Sequence, residues 1–214
     1  MTKPRLLLAD DHSLVIEGIR RILEDHCDVV GAVEDGRALV EAAETLRPEI
    51  VLLDISMPLL NGIDAARRLK QQHPEIKIIF VTMHADRAYV NEAFKAGASG
   101  YLLKRSAGTE LLQAIESVLG GNSYVTPLIA KDLIQAAVHG TGGVPPARDV
   151  LTPRQREVLQ LVAEGHSVKE IASLLSISPK TVEFHKSQIM DQLDLRTTAE
   201  LTKYAITHGL TSTS

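Results

Sequence analysis

The 214-residue sequence predicts an α/β doubly wound five-stranded parallel sheet followed by a second, all-α four-helix unit. Three observations carry this. Short apolar runs alternate five times with helically spaced stretches over the first 120 or so residues, a pattern that gives parallel strands with crossover helices on both faces. A glycine- and proline-rich stretch, HGTGGVPPARD at 139–149, then interrupts all regular structure. Beyond it no strand pattern occurs, but helix-start signals recur.

The elements follow in order. RLLLA (5–9), DVVGAV (28–33), IVLL (50–53), KIIFV (77–81) and GYLL (100–103) read as strands, and IVLL is apolar enough to be buried on both faces. Between them, about 14–25, 37–47, 62–72, 86–97 and 107–120 carry helical spacing. One more helix is expected near 126–138, before the flexible linker at 139–149. Four short helices then follow, at about 153–164, 168–175, 179–192 and 198–208. Their starts are explicit. Thr152, Ser167 and Thr197 each have Gln or Glu three residues on, the capping-box spacing in which side chains satisfy orphan backbone N–H groups. Ser178 precedes Pro179, an N-cap followed by proline at the first helical position. The expected division is 1–122, 123–149 and 150–214.

Composition sets bounds. A hydrophobic fraction of 44% supports a buried core, and 3% aromatics with no tryptophan make that core aliphatic. One cysteine, Cys27, leaves no internal disulfide and fits a reducing compartment. The apolar run at the start is too short for a signal peptide, nothing later resembles a membrane span, and a cytoplasmic location is expected. The net charge is −4: residues 1–140 hold 15 basic and 19 acidic side chains, and the remainder 8 of each. Bulk charge therefore argues for no nucleic-acid partner, and DNA binding must rest on a local motif. The eight histidines are scattered without metal-ligand spacing, which favours surface or capping roles.

In an open parallel sheet, ligands bind beyond the carboxyl ends of the strands. Those ends carry Asp10 and Asp11, Asp54, Thr82 and Lys104. A single aspartate after a strand is ordinarily a turn or cap residue; five polar residues at matching ends are a site. Clustered carboxylates call for a cation, and oxygen ligands favour Mg²⁺. Mg²⁺ and Lys104 together can neutralise a phosphoryl group in transfer, with a carboxylate as nucleophile. Asp54 stands alone at a central strand end and is the best nucleophile, while Asp10 and Asp11 form the metal-holding pair.

LLADDHSLVIEGIR, VLLDISMPLLNGIDAARRL, VTMHAD and AGASGYLLK together resemble a response-regulator receiver domain, over residues 3–120. The resemblance implies a flavodoxin-like fold, Asp54 as phosphoacceptor, and Mg²⁺ held by Asp10, Asp11, Asp54 and the Ser56 carbonyl. It also implies Lys104 paired with the phosphate, Thr82 as switch hydroxyl and Tyr101 as switch aromatic. Arg105 stands where many receivers have proline.

In the helical part, SVKEIASLLSISPKTVEFHKSQIMDQL at 167–193 fits a helix-turn-helix. Ile171, Leu174 and Leu175 form the inner face of its first helix, with Ile177 in the turn; Val182, Ile189 and Leu193 form that of its second. Lys180, Glu183, Phe184, Ser187 and Asp191 face the other way, and an outward phenylalanine suits a thymine methyl. Residues 150–210 are similar to a LuxR-type DNA-binding domain, and the whole chain resembles the NarL/FixJ class of response regulators. DNA contacts are expected from Lys180, Thr181, Glu183, Phe184, Lys186 and Ser187. Relatives often carry a basic residue near Glu183 and Ser187, so monomer affinity is expected to be low. A dimer is expected, with Leu201, Tyr204, Ala205 and His208 on a candidate surface. The implied partners are a sensor histidine kinase, double-stranded DNA and a second copy of the chain, with no membrane. Two rivals have specific defects. The first strand-to-helix turn, ADDHSL, has no glycine for a dinucleotide site. A haloacid-dehalogenase-type phosphatase would want aspartate at Ser56. A third reading, a constitutive DNA-binding protein with an inert sheet domain, leaves the acidic site unexplained.

Overall fold

The computed structural model describes residues 3–138 and 151–211. The linker expected at 139–149 lies outside the described residues. The first body is a parallel sheet. Its strands are β1 (Arg5–Ala9), β2 (Asp28–Val33), β3 (Ile50–Leu53), β4 (Lys77–Thr82), β5 (Gly100–Leu103) and β6 (Tyr124–Val125), in the order β2-β1-β3-β4-β5-β6. Its helices are α1 (Ser13–Leu23), α2 (Gly36–Leu46), α3 (Gly62–Gln72), α4 (Arg87–Lys95), α5 (Ala107–Leu119) and α6 (Pro127–Val138).

Side chains alternate across the strands and so feed two cores. Leu7, Val51, Leu53, Ile78 and Phe80 pack under α2, α3 and α4. Leu6, Leu8, Leu52, Ile79 and Leu102 pack under α1 and α5. Five strands were expected, and the sheet has six. Tyr124–Val125 pairs in parallel with Gly100–Tyr101, beyond the boundary expected at 122. Two residues carry no periodicity, so the sequence has no pattern by which to announce this strand.

The second body comprises α7 (Pro153–Ala163), α8 (Val168–Leu174), α9 (Pro179–Leu193) and α10 (Thr198–Thr207). The three capping boxes form as expected at Thr152, Ser167 and Thr197, and the Ser178 side chain accepts from the Thr181 N–H. Ile171, Leu175, Val182, Ile189, Leu201 and Ala205 close a separate core.

Both bodies meet along α7. Arg156 places Nε 3.0 and 3.2 Å from the two oxygens of Asp64. Glu157 takes Arg68 and Arg37 from the first body and Arg154 from its own helix. Burial and the neighbouring Arg37 guanidinium hold Arg68 and Arg154 below the ordinary guanidinium range. At the far end, Gly209 lies against Tyr89 of α4 so closely that a Cβ there would fall 1.7 Å from the tyrosine oxygen.

Candidate functional site: the acidic strand-end cluster and the helix-turn-helix face

Strand register builds the acidic site. Ala9 pairs with Leu53, so the next residues, Asp10 and Asp54, emerge side by side between β1 and β3, where the strand order reverses. Asp54 is 3% exposed and Asp10 4%. Leu103 pairs with Thr82, which brings Lys104 over the same edge. Lys104 Nζ lies 2.7 Å from Asp54 Oδ2 and 2.8 Å from Asp10 Oδ2. Burial alone would lower the Lys104 ammonium; the two carboxylates outweigh it and hold the group above its ordinary value. Asp54 Oδ1 accepts the Ile55 N–H at 2.7 Å.

One ligand-type side chain here was not expected. His12 joins Asp10, Asp11 and Asp54, with donor atoms within 4.8 Å of one another. Its Nδ1 lies 2.8 Å from Asp11 and 3.1 Å from Asp10. His12 stands at the N-cap position of α1 with its side chain 62% exposed, a surface position as expected of the histidines, and reaches back over the pair because β1 turns directly into α1. Carboxylate oxygens dominate the cluster, a donor set that fits a hard divalent cation.

Around it, Ser56 Oγ lies 2.8 Å from His84 Nε2. Thr82 is fully buried, and its hydroxyl faces the His84 N–H at 3.4 Å. Tyr101 is also fully buried, its hydroxyl donating to the His84 carbonyl at 2.9 Å. The His84 ring stacks on Tyr89, with centroids 4.1 Å apart. The structure therefore joins Asp10, Asp11, Asp54 and Lys104 in one cluster, with Ser56, Thr82 and Tyr101 linked through His84. The Lys104–Arg105 peptide is trans.

Residues 6–116 match the response regulator receiver domain family, and 149–205 match the luxR family of bacterial regulatory proteins. The chain is 36% identical over 207 residues to the response regulator UvrY of Escherichia coli, covering 96% of this chain and 94% of UvrY. It is 37% identical to the transcriptional regulatory protein MctR of Rhizobium johnstonii, covering 98% and 96%. The solved structure of the RcsB response regulator of Salmonella typhimurium matches with a TM-score of 0.65 and 30% identity, covering 97% of this chain and 99% of that one. An RcsB–DNA complex matches with a TM-score of 0.59 and 31% identity, covering 95% and 98%. The chain belongs to the NarL/FixJ class of response regulators. It pairs a receiver with a LuxR-type DNA-binding domain, and its homologues are transcriptional regulators.

In this response regulator the helix-turn-helix face is open. Lys180, Glu183, Ser187 and Asp191 are exposed, and Phe184 is 58% exposed. Thr181 and Lys186 are half-buried: Thr181 Oγ1 lies 2.8 Å from Ser178 Oγ, and Lys186 Nζ 3.0 Å from Thr198 Oγ1. The stripe on α10 divides. Leu201 and Ala205 are buried in the domain core, while Tyr204 and His208 stack at 3.8 Å and stay half-buried. Among the described residues, no helix is long and apolar enough to cross a membrane.

Proposed function

We propose that Asp54 is the phosphoacceptor of this response regulator and that its phosphorylation controls dimerisation and sequence-specific DNA binding. The observation that supports this best is the short pairing of Lys104 with both Asp54 and Asp10 at the sheet's switch point. A sensor histidine kinase supplies the phosphoryl group: an Asp54 oxygen bonds to phosphorus as the phosphorus–nitrogen bond to the kinase imidazole breaks. Asp10, Asp11, Asp54 and the Ser56 carbonyl would hold Mg²⁺, which supplies charge neutralisation to the phosphoryl oxygens when bound. Lys104 supplies the remaining positive charge.

The modified side chain carries about −1.5 to −2 charges and three acceptors. The Thr82 hydroxyl turns to meet one of them, and Tyr101 fills the space it leaves. The pair His84 and Tyr89 lies between Tyr101 and Gly209 of the DNA-binding domain, which gives the change a route to the interdomain contact. The reading divides the chain into a receiver at 1–122 extended by Tyr124–Val125, a helix and linker to 149, and a DNA-binding domain at 150–214. Lys180, Thr181, Glu183, Phe184, Lys186 and Ser187 contact DNA, and a homodimer doubles a weak monomer contact. The protein acts in the cytoplasm as a regulator and turns over no outside substrate.

The test is DNA affinity with and without Mg²⁺ and a small phosphodonor, on duplexes selected from a random pool by the treated protein. The parent is expected to bind more tightly after treatment and Asp54→Asn to show no change. Equal affinity in all four samples would instead favour a constitutive DNA-binding protein.

A further inference from the structure

The loop that follows Asp54 is completed from the other domain. Gln160 on α7 is fully buried. Its Nε2 donates to the Met57 carbonyl oxygen at 2.9 Å and to Glu164 Oε1 at 2.8 Å. Its Oε1 accepts from the Asn61 N–H at 2.9 Å and from Asn61 Nδ2 at 3.1 Å. Both protons and both lone pairs of the amide are thus in use. Glu164 Oε2 accepts the Leu59 N–H at 3.2 Å. Three backbone groups between 57 and 61 therefore find their partners on α7 or just past its end.

Leu59 is held in an unusual state. Its φ is 63°, in the left-handed region, within a three-residue turn closed by the Leu60 N–H on the Pro58 carbonyl at 2.7 Å. Its side chain packs against the core of the DNA-binding domain. A leucine keeps such a backbone only where its surroundings over-determine it. Here those surroundings belong to the other domain.

The inner edge of the loop is tied to the phosphorylation site. The Ile55 N–H donates to Asp54, and the Gly62 N–H closes on the Ile55 carbonyl at 2.8 Å. A Cβ at Gly62 would lie 1.9 Å from the Asp54 carbonyl oxygen, so α3 begins in direct contact with the phosphoacceptor backbone. Residues 55–62 form one packed span with the acidic site inside and α7 outside. A close-packed segment of this kind shifts as a unit.

We propose that Gln160, supported by Glu164, is a positioning residue for the phosphorylation site, and that the docked DNA-binding domain thereby weakens the site's hold on a phosphoryl group. The proposal rests on Asp54 being the acceptor. The sign follows from geometry. A phosphoryl group must take an Asp54 oxygen that now belongs to Lys104 or to the Ile55 N–H. The loop geometry held by Gln160 is therefore that of the unmodified carboxylate, and contacts made only in that state stabilise it. Linkage is reciprocal: if modification loosens docking, docking disfavours modification by the same factor.

The test measures the affinity of the full chain for the phosphate mimic BeF₃⁻ with Mg²⁺, by ¹⁹F NMR. The parent is compared with Gln160→Ala and the near-isosteric Gln160→Glu, which sets a carboxylate against the Met57 carbonyl. Circular dichroism verifies folding, and small-angle scattering reads domain separation. Both variants are expected to separate the domains and to bind BeF₃⁻ about fivefold or more tightly than the parent. Unchanged or weaker affinity in a folded variant overturns the proposal, whether or not the domains separate, and leaves Asp54 as acceptor intact. Failure of the parent and both variants to bind BeF₃⁻ would remove the acceptor reading itself, and the proposal with it.

Discussion

Asp54, Asp10 and Lys104 show how much chemistry a strand end can declare. Each follows an apolar run with no polar lead-in, so its place at the sheet edge is readable from local pattern alone. His12 was not readable in the same way, because its contact with Asp10 and Asp11 depends on how α1 leaves β1. Gln160 and Glu164 were further out of reach: a polar residue on a capped helix looks solvated until the domain it faces is known. Phe184 is 58% exposed, so Phe184→Ala should change stability by no more than about 0.5 kcal/mol. It should weaken specific DNA binding by about 1–3 kcal/mol while sparing random duplexes, in paired titrations. Equal loss on both would assign Phe184 to folding or phosphate contact. Burial pushes the Cys27 thiol up from its ordinary value, and the residue is 5% exposed. Alkylation of Cys27 at neutral pH should therefore be slow in the native protein and fast in urea, with comparable rates in both counting against a buried thiol.

The helices of the DNA-binding domain were legible because caps are local. A hydroxyl and a Glu or Gln three residues later satisfy backbone groups whatever the rest of the chain does. Strand limits were less so. The sheet continues into Thr82 and adds Tyr124–Val125, extensions set by the neighbouring strand rather than by their own residues. The mixed surface of α7 is the clearest case. Val158, Leu159 and Leu161 enter the core of their own domain, while Arg156, Glu157 and Gln160 are equally buried against the receiver. The Ser178 hydroxyl accepts the Thr181 N–H at 3.1 Å, so Ser178→Ala should cost about 0.5–2 kcal/mol in denaturant unfolding. A value near zero would mean that the helix start is held by Pro179 and packing alone.

Across the whole molecule, the docked arrangement covers α7 and leaves the outer face of α9 open. The proposed regulation accordingly works through domain geometry and the loop that follows Asp54. Docking also has a proton linkage. Burial, first of all, raises the Glu164 carboxyl above its ordinary 4.5, opposed by the Gln160 and Leu59 hydrogen bonds and by His166, and reinforced by Asp35. A raised carboxyl favours the docked form at low pH, and that contribution is lost as pH rises from 4.5 through the raised value. Scattering profiles of the parent should accordingly show more separated domains as pH climbs through this window, while Glu164→Gln should lose that share of the dependence. Identical pH profiles for the two proteins would contradict it.

On the function proposed above, the strand-end cluster accepts a phosphoryl group on Asp54. Its most direct test is intact mass after incubation with Mg²⁺ and a small phosphodonor, comparing the parent with Asp54→Asn. A single phosphoryl adduct is expected on the parent and none on the variant. An adduct on both, or on neither, would contradict it.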